Sequence, residues 1–184
     1  MVYPWLQLVD FNTPSWQFNA EVSTLGKRTL LEFVSNYLFG DWSHYDVLFA
    51  NNHTSSDAKR SLATRLRLDA LPDDEIKQLY RPQSIQEGDS VFWNKHQHLF
   101  TDPYLNPLMA DSLRGLPPAV ISSCQYDVLR DDSYFYAGRL HEANVSVEHL
   151  PLDPCFHGWI MFQKEIKQFN YYYENILHSI QRYI

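Results

Sequence analysis

The chain has 184 residues, an apolar share of 45% and a charged share of 20%, the composition of one folded domain and not of a disordered or fibrous chain. A net charge of -7 gives no electrostatic pull on phosphate backbones, which argues against nucleic acid as a partner. No run of eighteen apolar residues is present, so no membrane-spanning helix is expected, and Met1-Val2-Tyr3-Pro4-Trp5 lacks the basic start of a secretory leader.

Val2-Tyr3-Pro4 reads as the tail of a strand that Pro4 ends, because proline cannot donate to a ladder. Asp10 to Gln17 reads as a polar, turn-rich connection. Over Lys27 to Phe39 the residues Leu30, Leu31, Val34, Tyr37 and Leu38 fall on one helical face, and Gly40-Asp41 supplies the stop. A second helix is expected to start at Ser55-Ser56-Asp57 and run through Ala58 to Leu68, with Lys59, Arg60, Arg65 and Arg67 as its wet face. Pro72-Asp73-Asp74-Glu75 predicts a further short helix with carboxylates at its positive end, and Gln83 to Ser90 reads as loop.

The last third has a clearer pattern. Leu116-Pro117-Pro118 precedes the apolar run Ala119 to Cys124, which suits a strand buried on both faces. Gln125 to Asp131 is the expected turn, with Asp131 or Asp132 capping a helix to about Ala143 and Asn144 at the position after its end. Val145 to Leu152 predicts a second strand, Asp153 to Gly158 a loop, and the spacing of Trp159, Phe162, Ile166, Phe169, Tyr173, Ile176 and Ile180 a long final helix. Strand, helix, strand, helix is the order of a parallel α/β sheet.

Ligands of such sheets sit at the carboxyl ends of the strands. Asp127 follows the first predicted strand and His157 the second. A carboxylate and an imidazole on neighbouring strand ends can form the Asp–His part of an acyl-transfer triad. A post-strand Asp can equally bond its own turn, and a lone His can be structural, so spacing leaves both readings open. His96 and His98 form an H-x-H pair without a well-placed third ligand, and no metal is expected. Tyr171-Tyr172-Tyr173 reads as helix packing, and Asn52 and Asn144 head N-x-S/T sequons that matter only on the secretory path.

The wording around these residues resembles the arylacetamide deacetylase-like branch of the hormone-sensitive-lipase esterases, a family of α/β-hydrolases. The resemblance is carried by Tyr126-Asp127-Val128-Leu129-Arg130-Asp131-Asp132, Phe156-His157-Gly158, Asp10-Phe11-Asn12-Thr13-Pro14-Ser15-Trp16 and Leu116-Pro117-Pro118-Ala119. It runs over essentially the whole chain, weakly between about 41 and 103. It implies the C-terminal part of an α/β-hydrolase fold over residues 1–184: a cap-like helical insertion at about 20–100, then the last strands and helices at 101–184. It also implies serine-hydrolase cleavage of lipophilic carboxylic esters or arylacetamides without a cofactor, Asp127 orienting His157 as general base. Family members place the Ser upstream on a G-x-S-x-G elbow. Here Gly88-Asp89-Ser90 is followed by Val91-Phe92 and preceded by no strand, and no HGGG stretch supplies oxyanion donors. The expectation is therefore a truncated form without its nucleophile, inactive alone, with a non-catalytic interaction or regulatory protein as the alternative. Missing strands would leave a sheet edge open to self-association. The resemblance further implies the lumenal side of the endoplasmic reticulum membrane, reached through an N-terminal anchor not expected in this chain. It implies that Cys124 pairs with a cysteine near the HGGG stretch and so is unpaired here. Cys155 stands in an altered His loop, Asp153-Pro154-Cys155-Phe156-His157-Gly158, and is not read as a substitute nucleophile, which would need a lowered pKa.

Overall fold

A computed structural model gives the fold and describes residues 1–21, 24–71 and 80–183. Within them the order is α1 Pro14–Phe18, α2 Lys27–Phe39, α3 Tyr45–Phe49, α4 Ser56–Ala63, α5 Ser90–Thr101, β1 Ala119–Tyr126, α6 Arg130–Glu142, β2 Val147–Phe156 and α7 Phe169–Gln181. The helix expected from Pro72 lies outside the described residues.

β1 and β2 pair in parallel, from Ala119 opposite Val147 to Cys124 opposite Leu152. The register then shifts, and Tyr126 faces Phe156, so β2 bulges over Asp153 to Cys155 where a loop was expected. On the other edge of β1, Val2 forms a parallel bridge to Ser122. The Tyr3 N–H donates to the Ser122 carbonyl at 2.8 Å, and the Ser122 N–H to the Met1 carbonyl at 2.9 Å. The middle of β1 is therefore paired on both edges and buried.

Several helices differ from the sequence expectation for local reasons. α2 keeps its predicted bounds, because Gly40 takes φ 80 and its N–H closes onto the Asn36 carbonyl. α4 starts at the Ser55 cap, whose hydroxyl accepts the Ala58 N–H, but stops at Ala63, so Arg65 and Arg67 lie beyond it. Lys59 is not on a wet face: it is buried, and its Nζ donates to the Asn51 carbonyl at 2.7 Å. α5 was not anticipated. Asp89 caps it by accepting the Val91 and Phe92 N–H groups, but only Phe92 and Phe100 are buried, too few for a helical period to stand out. Gly88 belongs to the same turn, where a Cβ would fall 2.3 Å from the Thr54 carbonyl oxygen. The final helix begins at Phe169, after a 3-10 turn at Trp159–Met161. The apolar spacing ran on because Trp159, Phe169, Tyr172 and Ile176 share one core cluster across that break.

The segment before α1 is extended and buried but outside any sheet, so its backbone groups need other partners. The Leu6 N–H donates to Asp132 Oδ2 at 3.0 Å, and the Ser15 N–H to Asp131 Oδ2 at 2.6 Å. Asn106 Oδ1 accepts the Leu8 N–H, and Thr54 donates to the Val9 carbonyl. His53 Nε2 meets the Leu8 carbonyl at 2.8 Å, and burial pulls its imidazole down to about 3, so the ring is neutral and donates. Asp131 and Asp132, expected as helix caps, are in fact buried acceptors for this strap; α6 has no side-chain cap. Asp131 also receives two hydrogen bonds from the Arg130 guanidinium, at 2.9 and 2.7 Å.

Burial pushes the Asp132 carboxyl up from 3.8 to about 8; the hydrogen bond from the Leu6 N–H opposes this, and the neighbouring Asp131 charge adds to it. A carboxyl raised on folding gives stability that is full below its unfolded pKa and is lost as pH rises through the folded one. Unfolding in urea should therefore show declining stability between pH 4 and pH 8. Asp132→Asn, which cannot ionise and keeps an acceptor for Leu6, should flatten that decline and be the more stable protein at pH 8 by about 1 kcal/mol or more. Parallel pH profiles for the two proteins would contradict this.

Candidate functional site

Asp127 and His157 are the residues immediately after β1 and β2, so the parallel pairing brings both to one sheet edge. Asp127 Oδ2 lies 2.8 Å from His157 Nδ1. The other oxygen, Oδ1, accepts the Leu129 N–H at 2.9 Å, so the same carboxylate closes the turn into α6. The turn is held from outside as well: Asn19 Nδ2 donates to the Asp127 carbonyl at 3.0 Å, and the Ser15 hydroxyl to the Val128 carbonyl at 2.7 Å. Asp127 is 0% exposed, while the His157 side chain retains 21% exposure, enough for one ring edge to reach a ligand. Asp153, a rival partner by proximity in sequence, is exposed.

His157 is fixed by three further features. Gly158 takes φ 80 directly after it, and a Cβ there would come 3.1 Å from Met161 Cε. The Thr24 hydroxyl donates to the His157 carbonyl. The Tyr3 ring packs on the imidazole with centroids 4.3 Å apart, from a backbone at φ 36 that a tyrosine rarely adopts. Tyr3 and Thr24 were not singled out from the sequence. Tyr3 carried one indirect sign, the following Pro4, which turns the preceding residue away from helix; Thr24 carried none.

The imidazole forms part of the wall of a cavity of about 710 Å³. The rest of the wall is mainly apolar, with Trp5, Leu30, Phe33, Val34, Tyr37 and Leu129 contributing, so the cavity suits a ligand with a large hydrocarbon or aromatic part. α2 supplies four of these residues at helical spacing, and Phe33 and Tyr37 remain exposed.

Other singled-out residues have different surroundings. The His96 ring packs among Phe39, His44 and Phe92. Among the described residues no group of three or more His, Cys, Asp or Glu could hold a metal ion. Of the three tyrosines, Tyr172 is buried, whereas Tyr171 and Tyr173 are largely exposed. Asn52 and Asn144 are both exposed, Asn144 in the left-handed region at φ 58 after α6. Cys124 and Cys155 are free thiols, both buried.

A family model described as the alpha/beta hydrolase fold matches residues 72–161. Neutral cholesterol ester hydrolase 1 of Rattus norvegicus is 36% identical over 166 residues, covering 88% of this chain and 40% of that protein. Arylacetamide deacetylase of Bos taurus is 33% identical over 164 residues, covering 88% of this chain and 41% of that protein. Among solved structures, a bacterial heroin esterase superposes with a TM-score of 0.57 at 20% identity, over 98% of this chain and 40% of its own, a likeness of fold. The chain thus spans about two fifths of the length of the curated relatives it matches.

The Asp127–His157 bond should give a strongly downfield Nδ1 proton in the NMR spectrum. Asp127→Ala should remove that signal and, by leaving the buried Leu129 N–H without its acceptor, cost about 1–3 kcal/mol of stability. A downfield imidazole proton that survives the substitution would place the bond elsewhere.

Proposed function

The chain belongs to the α/β-hydrolase fold and is a relative of the arylacetamide deacetylase-like esterases, and on that premise we propose that it supplies the acid–base half of a serine-hydrolase site for lipophilic carboxylic esters or arylacetamides. The observation that carries this is the 2.8 Å contact of Asp127 Oδ2 with His157 Nδ1 at neighbouring strand ends, beside an apolar cavity. Asp127 accepts a hydrogen bond from the Nδ1–H, fixing the tautomer in which Nε2 is the basic nitrogen. His157 then takes the proton of an attacking serine hydroxyl and returns it to the leaving alcohol or amine, and Asp127 stabilises the imidazolium in between. The cavity receives the acyl or aryl part, each buried methylene adding about 0.8 kcal/mol. Residues of about 20–100, which include α2 and its cavity-lining face, act as the cap over this site.

The 184 residues contain no G-x-S-x-G and no HGGG stretch. By themselves, in this reading, they form no acyl-enzyme. The chain alone should leave a fluorophosphonate probe unattached and should not turn over p-nitrophenyl esters above free imidazole. Joined to the serine-bearing segment of a relative, it should hydrolyse them, favouring longer acyl chains, and Asp127→Asn should then lower turnover by roughly 10⁴-fold. Stoichiometric probe labelling of the chain alone, or a joined enzyme indifferent to Asp127→Asn, would refute the proposal.

By the same kinship we propose a lumenal setting at the endoplasmic reticulum membrane, with Asn52 and Asn144 as glycan acceptors. Among the described residues no helix is long and apolar enough to cross a membrane. We further propose that the chain self-associates through its sheet edge, since open strands template pairing. Sedimentation over a concentration series should show mass rising with concentration; a monomer throughout would exclude it.

A further inference from the structure

Of the three features that fix His157, one acts on the ring. The Thr24 hydroxyl and Gly158 hold the backbone, whereas Tyr3 packs on the imidazole itself, with centroids 4.3 Å apart and planes at 52°. The Asp127 bond pins Nδ1, but a ring pinned at one atom can still rock and carry Nε2 off its line. A second contact is needed to set the plane. Tyr3 can supply it because it is held on two sides. Its N–H donates to the Ser122 carbonyl at 2.8 Å in the edge pairing of β1, and its side chain packs against the core cluster of Cys124, Leu152, Cys155 and Trp159. The backbone adds an independent sign. Among the described residues, the non-glycine positions with positive φ are Asn51, Asn144 and Tyr3. Asparagine tolerates that region, but a bulky aromatic residue is an outlier there. A glycine would give the same turn without strain. Strain kept at a residue that touches the acid–base pair points to a side chain whose contact offsets it.

We propose that Tyr3 is the positioning residue of the acid–base pair: its ring holds the His157 imidazole in line with Asp127 and steadies the imidazolium that forms when His157 takes a proton. The first action is geometric. With the imidazole clasped between the Asp127 carboxylate and the Tyr3 ring, Nε2 keeps one direction beside the cavity that Tyr3 and His157 both line. The second action is electrostatic. A cation within about 6 Å of an aromatic centroid is drawn to the ring's electron-rich face, and a neutral imidazole is not. The contact is therefore stronger while His157 holds the extra proton than before, which is what a gain in rate requires. An aliphatic side chain would fill space equally in both states. The effect on turnover rests on the hydrolase reading above; the hold on the ring does not.

The first arm of the test uses the chain itself with Tyr3→Phe, Tyr3→Leu and Tyr3→Gly, each checked for a cooperative urea transition. Tyr3→Phe keeps the ring, Tyr3→Leu keeps apolar bulk on the same backbone, and Tyr3→Gly removes the ring while suiting the left-handed turn, so it decides the matter if Tyr3→Leu does not fold. The unaltered chain and Tyr3→Phe should show a sharp His157 Nδ1 proton in the NMR spectrum. Tyr3→Leu and Tyr3→Gly should lose that signal to exchange with water, and their His157 carbon-bound ring protons should shift as the Tyr3 ring current is lost. A signal absent from the unaltered chain, or sharp and unshifted in either ring-less variant, would overturn the hold on the imidazole. The second arm uses the chain joined to the serine-bearing segment of a relative. There Tyr3→Leu should lower kcat about 3- to 30-fold, equally for acetyl and longer acyl esters and with KM nearly unchanged, while Tyr3→Phe keeps the full rate. A loss confined to KM would make Tyr3 a wall of the cavity alone and defeat the proposal. An enzyme that needs Asp127 yet ignores Tyr3→Leu would remove Tyr3 from turnover and leave the hydrolase reading in place. One indifferent to Asp127→Asn would remove that reading, with the hold on the ring still decided by the NMR arm.

Discussion

The structure depends on a requirement of backbone chemistry: a buried extended segment outside a sheet must find a partner for every N–H and carbonyl it hides. Residues 6–15 meet it with side chains. Asp132, Asn106 and Asp131 accept from Leu6, Leu8 and Ser15, while His53 and Thr54 donate to Leu8 and Val9. These contacts join three parts of the molecule. The acceptors come from α6 and the stretch after α5, the donors from the residues before α4, and the strap between them runs from the β1 edge to α1. The cost is a pair of adjacent buried carboxyls, one beside Arg130 and the other pushed towards its neutral form.

That strap in turn builds the site. It leads from Tyr3, on the imidazole, past Trp5, at the cavity, to Ser15, on the Val128 carbonyl of the turn that holds Asp127. Asp127 combines two roles that looked like alternatives in the sequence. One oxygen closes its own turn and the other meets His157, so local structure fixes the angle at which the carboxylate faces the ring. Both partners stand on strand ends of one parallel ladder, which limits the error in their separation more tightly than two free loops could.

The cavity beside His157 draws its wall from α2, from the edge segment at Val2 to Trp5 and from the turn after β2. α2 therefore has two apolar duties. Leu31 is fully buried in the core with Leu48 and Phe100, whereas Phe33 and Tyr37 remain exposed at the cavity. The apolar face of α2 is wider than its core contact needs, and its outer part joins the helical layer to the sheet edge that bears Asp127 and His157.

Much of this was legible in the sequence because the signals were local. The Lys27–Phe39 period, the Gly40 stop, the apolar run from Ala119 and the residues flanking Asp127 and His157 each depend on neighbours within a few positions. The sequence by itself thus determined the strand–helix–strand order and placed one acid and one base at strand ends. Tertiary structure decided what those local signals could not hold. α5 depends on an Asp89 cap and only two buried aromatics; Asp131 and Asp132 face a strap more than a hundred residues away; Lys59 is drawn inward by a carbonyl at Asn51. Likewise, Tyr3 reached His157 only through pairing across β1, because register and bulges are set by contacts between strands and leave no mark on the spacing along either one.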